Sequence, residues 1–68
     1  MNEDTLNMEI RKYLKKVGVT SQREIEHAIQ KAVESGKINS TGIIDIKMTL
    51  EMPGADLTYC IEGKIALE

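Results

Sequence analysis

The stretch that decides the fold is residues 42–68, which read GIIDIKMTLEMPGADLTYCIEGKIALE. Apolar side chains fall on every second position on both sides of Pro53-Gly54-Ala55-Asp56, a spacing typical of strands with one buried face. These residues are Ile44, Ile46, Met48, Leu50 and Met52 before the turn and Leu57, Tyr59, Ile61, Ile65 and Leu67 after it. The pattern predicts one β-hairpin, with strands at 43–52 and 57–67.

A loop at residues 53–56 fixes which residues of the two strands lie opposite each other. One face then pairs Met52 with Leu57, Leu50 with Tyr59, Met48 with Ile61, Ile46 with Gly63 and Ile44 with Ile65. The other face pairs Glu51 with Thr58, Thr49 with Cys60, Lys47 with Glu62, Asp45 with Lys64 and Ile43 with Ala66. Two pairs on the second face join opposite charges, which favours this register over a slipped one. In the loop, Pro53 and Gly54 suit the central positions of a type II turn.

Two amphipathic helices are predicted before the hairpin. The first spans about 5–17, with a cap from Asn2, Asp4 or Thr5 and an end at Gly18. Its apolar residues recur at three- and four-residue spacing, as Leu6, Ile10, Tyr13, Leu14 and Val17.

The second predicted helix spans about 22–35. The segment Ser21-Gln22-Arg23-Glu24 has the form of a capping box, and Gly36 follows as the terminating residue. The apolar stripe of this helix consists of Ile25, Ala28, Ile29, Ala32 and Val33.

These elements predict a single α+β domain over residues 1–68, in which two helices pack on one face of a C-terminal antiparallel hairpin in two layers, in the order α-α-β-β. The chain is short, has no Trp or Phe, and has one cysteine, so it has little apolar volume and no intrachain disulfide. Both strands of the hairpin are edges, which invite pairing with another chain. We therefore expect a homodimer, formed through the hairpin edge or the apolar faces.

Charge and hydropathy restrict the classes of partner. The net charge is −2, which argues against a protein whose main task is to bind a nucleic acid. No apolar run is long enough to span a membrane, and the first residues are acidic where a secretory signal would be basic. The expected compartment is the cytoplasm.

Few residues suggest chemistry. Glu24 and His27 form one E-x-x-H element, but metal sites in helical bundles use two such elements with further carboxylates. Cys60 has no histidine or second cysteine near it in sequence to activate it. Met48 and Met52 alternate with isoleucine and leucine, as core residues do. The sequence therefore predicts no catalytic, cofactor-binding or metal site, and no enzyme.

Two functions from different classes fit this reading. The first is a small non-catalytic protein-interaction module that acts as a homodimer. The second is a winged-helix-like nucleic-acid-binding protein, because residues 14–29 have the form helix, turn, helix with a hairpin behind them. In that case the residues facing the groove would be Ser21, Gln22, Arg23, His27 and Lys31. Glu24, Glu26 and Glu34 on the same helix would repel the phosphates.

The sequence also resembles a known family. The run from Arg11 to Glu26, the opening Met1-Asn2-Glu3-Asp4-Thr5 and the ending Ile65-Ala66-Leu67-Glu68 are similar to an uncharacterised family of short bacterial proteins that is classed as a domain of unknown function. The resemblance covers essentially the whole chain and implies a complete bacterial protein. It implies no activity and no site residues.

Overall fold

The structure, a computed structural model, describes all 68 residues and contains one helix followed by one β-hairpin, an α+β fold. Helix α1 spans Glu3–Glu34, strand β1 spans Ile43–Met52 and strand β2 spans Leu57–Ala66. A short 3-10 helix, Pro53–Ala55, joins the strands. The chain divides into two compact units, Met1–Lys37 and Ile38–Glu68.

Helix α1 is continuous, so the prediction of two helices, 5–17 and 22–35, is wrong. Gly18 lies inside the helix and has no positive φ, whereas a terminating glycine adopts the left-handed conformation. Ser21 is also an interior residue, so it cannot act as the predicted cap. A glycine costs a helix interior only about 0.5–1 kcal/mol, which a long helix tolerates.

The apolar stripe explains why the helix continues through Gly18. Eight residues follow one another at spacings of four, four and three, and they define the helix stripe: Leu6, Ile10, Leu14, Val17, Ser21, Ile25, Ala28 and Ala32. This is an eleven-residue repeat, close to the natural pitch of a helix, so the stripe stays within about 100° of the circumference. The first predicted stripe thus continues through Ser21 to Ile25, Ala28 and Ala32 of the second. Ile29 and Val33 of the second predicted stripe lie beside this arc and are half-buried.

Both ends of α1 carry recognisable caps. The Asn2 side chain accepts a hydrogen bond from the Thr5 amide at 3.1 Å, which confirms Asn2 among the predicted capping residues. At the other end Gly36 has φ 77°, and the Gly36 and Lys37 amides donate to the carbonyls of Val33 and Ala32. This is a Schellman motif, and it confirms Gly36 as the terminating residue.

The hairpin has the predicted register. All ten predicted residue pairs, from Ile43 with Ala66 to Met52 with Leu57, are present in the antiparallel pair of strands. Strand β1 has the predicted bounds, and β2 ends at Ala66, one residue earlier than predicted. Period-two patterning, the loop at residues 53–56 and two cross-strand charge pairs together predicted this alignment correctly.

The turn differs from the predicted type II turn. Such a turn would place Gly54 at positive φ, but the residue with positive φ is Asp56, at 51°. The Asp56 amide donates to the Pro53 carbonyl at 3.2 Å and closes one turn of 3-10 helix. Aspartate is among the few non-glycine residues that adopt the left-handed conformation readily. The turn therefore places Asp56 in that conformation, and Gly54 is not required to adopt it.

No residue of the chain is buried, and the single chain has no hydrophobic core. Its accessible surface is 6285 Å².

Candidate interaction surfaces

The hairpin presents one apolar face that is largely open to solvent. We define the apolar face as Ile44, Ile46, Met48, Leu50, Met52, Leu57, Tyr59, Ile61, Ile65 and Leu67. Its middle is the most accessible part, since Tyr59 is 60% and Ile61 is 54% exposed, while Ile44, Ile46 and Ile65 are half-buried. Large contiguous apolar patches on monomeric proteins commonly mark interaction sites, so the apolar face is a candidate interaction surface.

The apolar face has a gap at Gly63. A hollow of about 560 Å³ lies at the same level of the hairpin, but most of its lining belongs to the opposite, charged face: Asp45, Lys47, Glu62 and Lys64, with Ile46 and Gly63. A Cβ atom built on Gly63 would lie 3.7 Å from Ile46 Cγ2, an ordinary contact. The hairpin itself would thus accept a small side chain at this position, and the gap is not required by packing within the chain.

The opposite face of the hairpin carries the charges. Lys64 Nζ donates to Asp45 Oδ1 at 2.5 Å across the strands, and Lys47 lies opposite Glu62. Both members of the Asp45–Lys64 pair are largely solvated, so the pair contributes at most about 1 kcal/mol. Its role is to specify the register, because a slip would bring like charges into opposition.

Both outer edges of the hairpin have free backbone groups. The Leu67 amide donates to the Gly42 carbonyl at 3.0 Å, and these residues are opposite each other in the register. Hydrogen-bonded and non-hydrogen-bonded pairs alternate in an antiparallel ladder. The residues of the apolar face therefore direct their backbone amide and carbonyl groups toward the other strand of the hairpin. The residues with outward backbone groups are Ile43, Asp45, Lys47, Thr49 and Glu51 on β1 and Thr58, Cys60, Glu62, Lys64 and Ala66 on β2.

The helix stripe is a second apolar surface and belongs to the unit Met1–Lys37. It is most exposed in its N-terminal half, where Leu6 is 44% and Leu14 is 56% exposed. Val17, Ile25 and Ala32 in the middle and C-terminal half are half-buried. The side of the helix opposite the stripe is mostly polar, but it also carries Met8 and Val19, which are 67% and 54% exposed. Next to them Gln22 Nε2 donates to Glu26 Oε1 at 2.9 Å.

Glu24, His27 and Cys60, the residues considered as metal ligands or nucleophile, do not lie in a cluster with further ligands or a general base. Glu24 and His27 lie on α1 without the capping role expected for Glu24, because the helix has no start at Ser21. Cys60 is exposed, with its Sγ 3.7 Å from Thr49 Oγ1 on the charged face. No group of three or more His, Cys, Asp or Glu side chains could hold a metal ion. Met48 and Met52, predicted as core residues, are 38% and 48% exposed in the single chain.

The predicted helix-turn-helix has no turn. Residues 14–29 form one uninterrupted stretch of α1, so there is no separate second helix to enter a groove. Ser21, which was expected to face the groove, instead belongs to the helix stripe and is half-buried. The sequence had signalled this outcome through the unbroken spacing Leu14, Val17, Ser21, Ile25.

Helix α1 is the one long helix, and it lacks the apolar length that crossing a membrane requires. Fold and surfaces together define a small α+β protein with one amphipathic helix, one hairpin and extensive apolar surface. The chain belongs to a family of unknown function (DUF6494), whose profile matches residues 1–68. The comparisons find no match among curated proteins or among solved structures.

Proposed function

We propose that this chain is a non-catalytic protein-interaction module that functions as a homodimer. The observation that carries the proposal is the absence of any buried residue in the single chain. Folding depends on removing apolar surface from water, and half-buried side chains such as Ile44 and Ile65 remove only part of theirs. A second copy supplies the missing burial with surfaces that are complementary by symmetry.

The hairpin gives a second reason for association. A two-stranded hairpin alone is marginally stable in water, and three or more strands or a packed layer are needed for independent stability. This hairpin is ten residues long on each strand and has side chains such as Ile61 and Tyr59 exposed on its apolar face. Covering that face in an assembly stabilises the strands that form it.

The test is the mass in solution of the wild-type chain and of two matched variants. Ile25→Lys places a charge in the helix stripe, and Gln30→Lys places the same charge on the opposite side of α1. We expect light scattering to give the mass of two chains for the wild type and for Gln30→Lys. Ile25→Lys is expected to weaken dimerisation by about tenfold or more, since burying an unpaired ammonium is unfavourable.

Circular dichroism on the same samples separates loss of association from loss of folding. A wild-type chain that is folded and has the mass of one chain at high concentration would contradict the proposal. An equal effect of Ile25→Lys and Gln30→Lys would instead remove the helix stripe from the interface.

A further inference from the structure

We infer that two copies pair through the outer edges of β1, antiparallel, with Ile46 on the twofold axis. The product is a four-stranded sheet in the order β2-β1-β1-β2. This inference deepens the proposed homodimer and rests on it, and it adds the surface and the alignment of the contact. The occupant of the edge is a second copy of this chain.

The backbone of β1 is arranged for such pairing. Ile43, Asp45, Lys47 and Thr49 direct their amide and carbonyl groups away from β2, because the alternate residues make the bonds of the hairpin. In an added antiparallel strand, the residues whose backbone groups point toward β1 must lie opposite the residues of β1 whose backbone groups point away from β2. An axis at Ile46 satisfies this condition and gives about eight inter-chain backbone hydrogen bonds over residues 43–49.

Charge complementarity selects the alignment. With Ile46 on the axis, Asp45 lies opposite the partner's Lys47, and the symmetry repeats the pair on the other side. The two hairpins already pair Asp45 with Lys64 and Lys47 with Glu62. A row across the four strands then alternates in sign throughout: Lys64, Asp45, the partner's Lys47, the partner's Glu62. Opposite charges across neighbouring strands stabilise a sheet.

The neighbouring alignments are less favourable. An axis at Asp45 places two aspartates directly opposite each other, and an axis at Lys47 does the same with two lysines. An axis at Met48 brings Asp45 opposite the partner's Glu51. Like charges directly opposite destabilise a sheet, so the sequence of β1 distinguishes one alignment from its neighbours.

The side chains at the axis favour β1 over β2. On the apolar face, Ile46 meets the partner's Ile46, and Ile44 meets the partner's Met48. The equivalent contact at the β2 edge would place Gly63 on the axis, with Glu62 opposite the partner's Lys64. Glycine weakens a strand, whereas a β-branched residue suits it. Both edges have complementary charges, and β1 has the better residue at the centre.

Amide hydrogen exchange of the unmodified dimer tests the inference. We expect the outward amides of Ile43, Asp45, Lys47 and Thr49 to exchange at least about tenfold more slowly than the outward amides of β2. The reference amides on β2 are those of Cys60, Glu62, Lys64 and Ala66. Slow exchange on β2 with fast exchange on β1 would overturn the assignment of the edge.

A charge exchange within the hairpin tests the alignment. The variant Lys47→Glu with Glu62→Lys keeps every pair inside the hairpin but brings Asp45 opposite a glutamate of the partner. We expect its dimer dissociation constant to rise about tenfold or more. Adding Asp45→Lys and Lys64→Asp restores opposite charges throughout, and dimerisation should return to the wild-type level.

The outcomes separate this inference from the proposed function. A dimer whose outward β1 amides exchange as fast as those of β2 would overturn edge pairing and leave the homodimer standing. A dimer that is equally stable in all three charge arrangements would overturn the alignment at Ile46. A folded monomer would overturn both.

Discussion

Gly18 lies in the middle of α1, where a glycine has backbone freedom that the helix does not use. A Cβ atom built there meets nothing within 4 Å, and its φ is not positive. We therefore predict that Gly18→Ala increases the free energy of unfolding by about 0.5–1 kcal/mol. Thermal denaturation followed by circular dichroism measures the change.

Gly36 provides the matched control at the end of the same helix. A Cβ atom there also meets nothing within 4 Å, but Gly36 has φ 77°, which an L-residue adopts with strain. Gly36→Ala is expected to lower the free energy of unfolding by about 1 kcal/mol. If both alanines changed stability in the same direction, the continuous helix with its Schellman end would be contradicted.

Within the hairpin, the Asp45–Lys64 ion pair should contribute little to the free energy of unfolding, whereas the apolar face should contribute much more. Lys64→Ala removes a solvated ion pair and should change the free energy of unfolding by less than about 1 kcal/mol. Leu50→Ala truncates a side chain of the apolar face, which is 38% exposed in the single chain. If that face is covered in the dimer, the truncation should cost about 2–5 kcal/mol.

Chemical denaturation of both variants at one protein concentration makes the comparison. A small effect of Leu50→Ala, similar to that of Lys64→Ala, would mean that the apolar face stays in water.

The helix and the hairpin differ in how well the sequence predicted them. Both strands and their alignment could be predicted because a period of two, a loop of fixed length and the pairs Asp45–Lys64 and Lys47–Glu62 all agree. The second helix start could not be rejected locally, since Gly18 and Ser21-x-x-Glu24 match real termination and capping signals. The spacing of the helix stripe across Val17 and Ser21 was the stronger signal, and it is read only over the whole helix.

The candidate surfaces were partly predictable for a similar reason. The apolar face and the open edges follow from the alternation and from having two strands. The outward direction of the Asp45 and Lys47 backbone groups required the hydrogen-bonding phase, which the bond from Leu67 to Gly42 supplies. The charge pattern of the sequence does not predict which residue pairs of the hairpin are hydrogen-bonded.

For the molecule as a whole, stability should depend on concentration. If the folded form is a dimer, mass action raises the melting temperature as the protein becomes more concentrated. For two chains of 68 residues the expected rise is about 5 °C for each tenfold increase in concentration. A melting temperature that is constant over a hundredfold range would indicate that each chain unfolds alone.

If two β1 strands pair as inferred, the outer edge of β2 stays open, and there Glu62 can lie opposite the Lys64 of another copy. The twofold axes of both contacts are perpendicular to the sheet, and two such parallel axes generate an endless row of subunits and not a closed ring. We expect the weaker contact at Gly63 to limit growth. Substituting Gly63 with valine would strengthen that contact, and we expect ribbons that bind amyloid dyes and sediment at low speed.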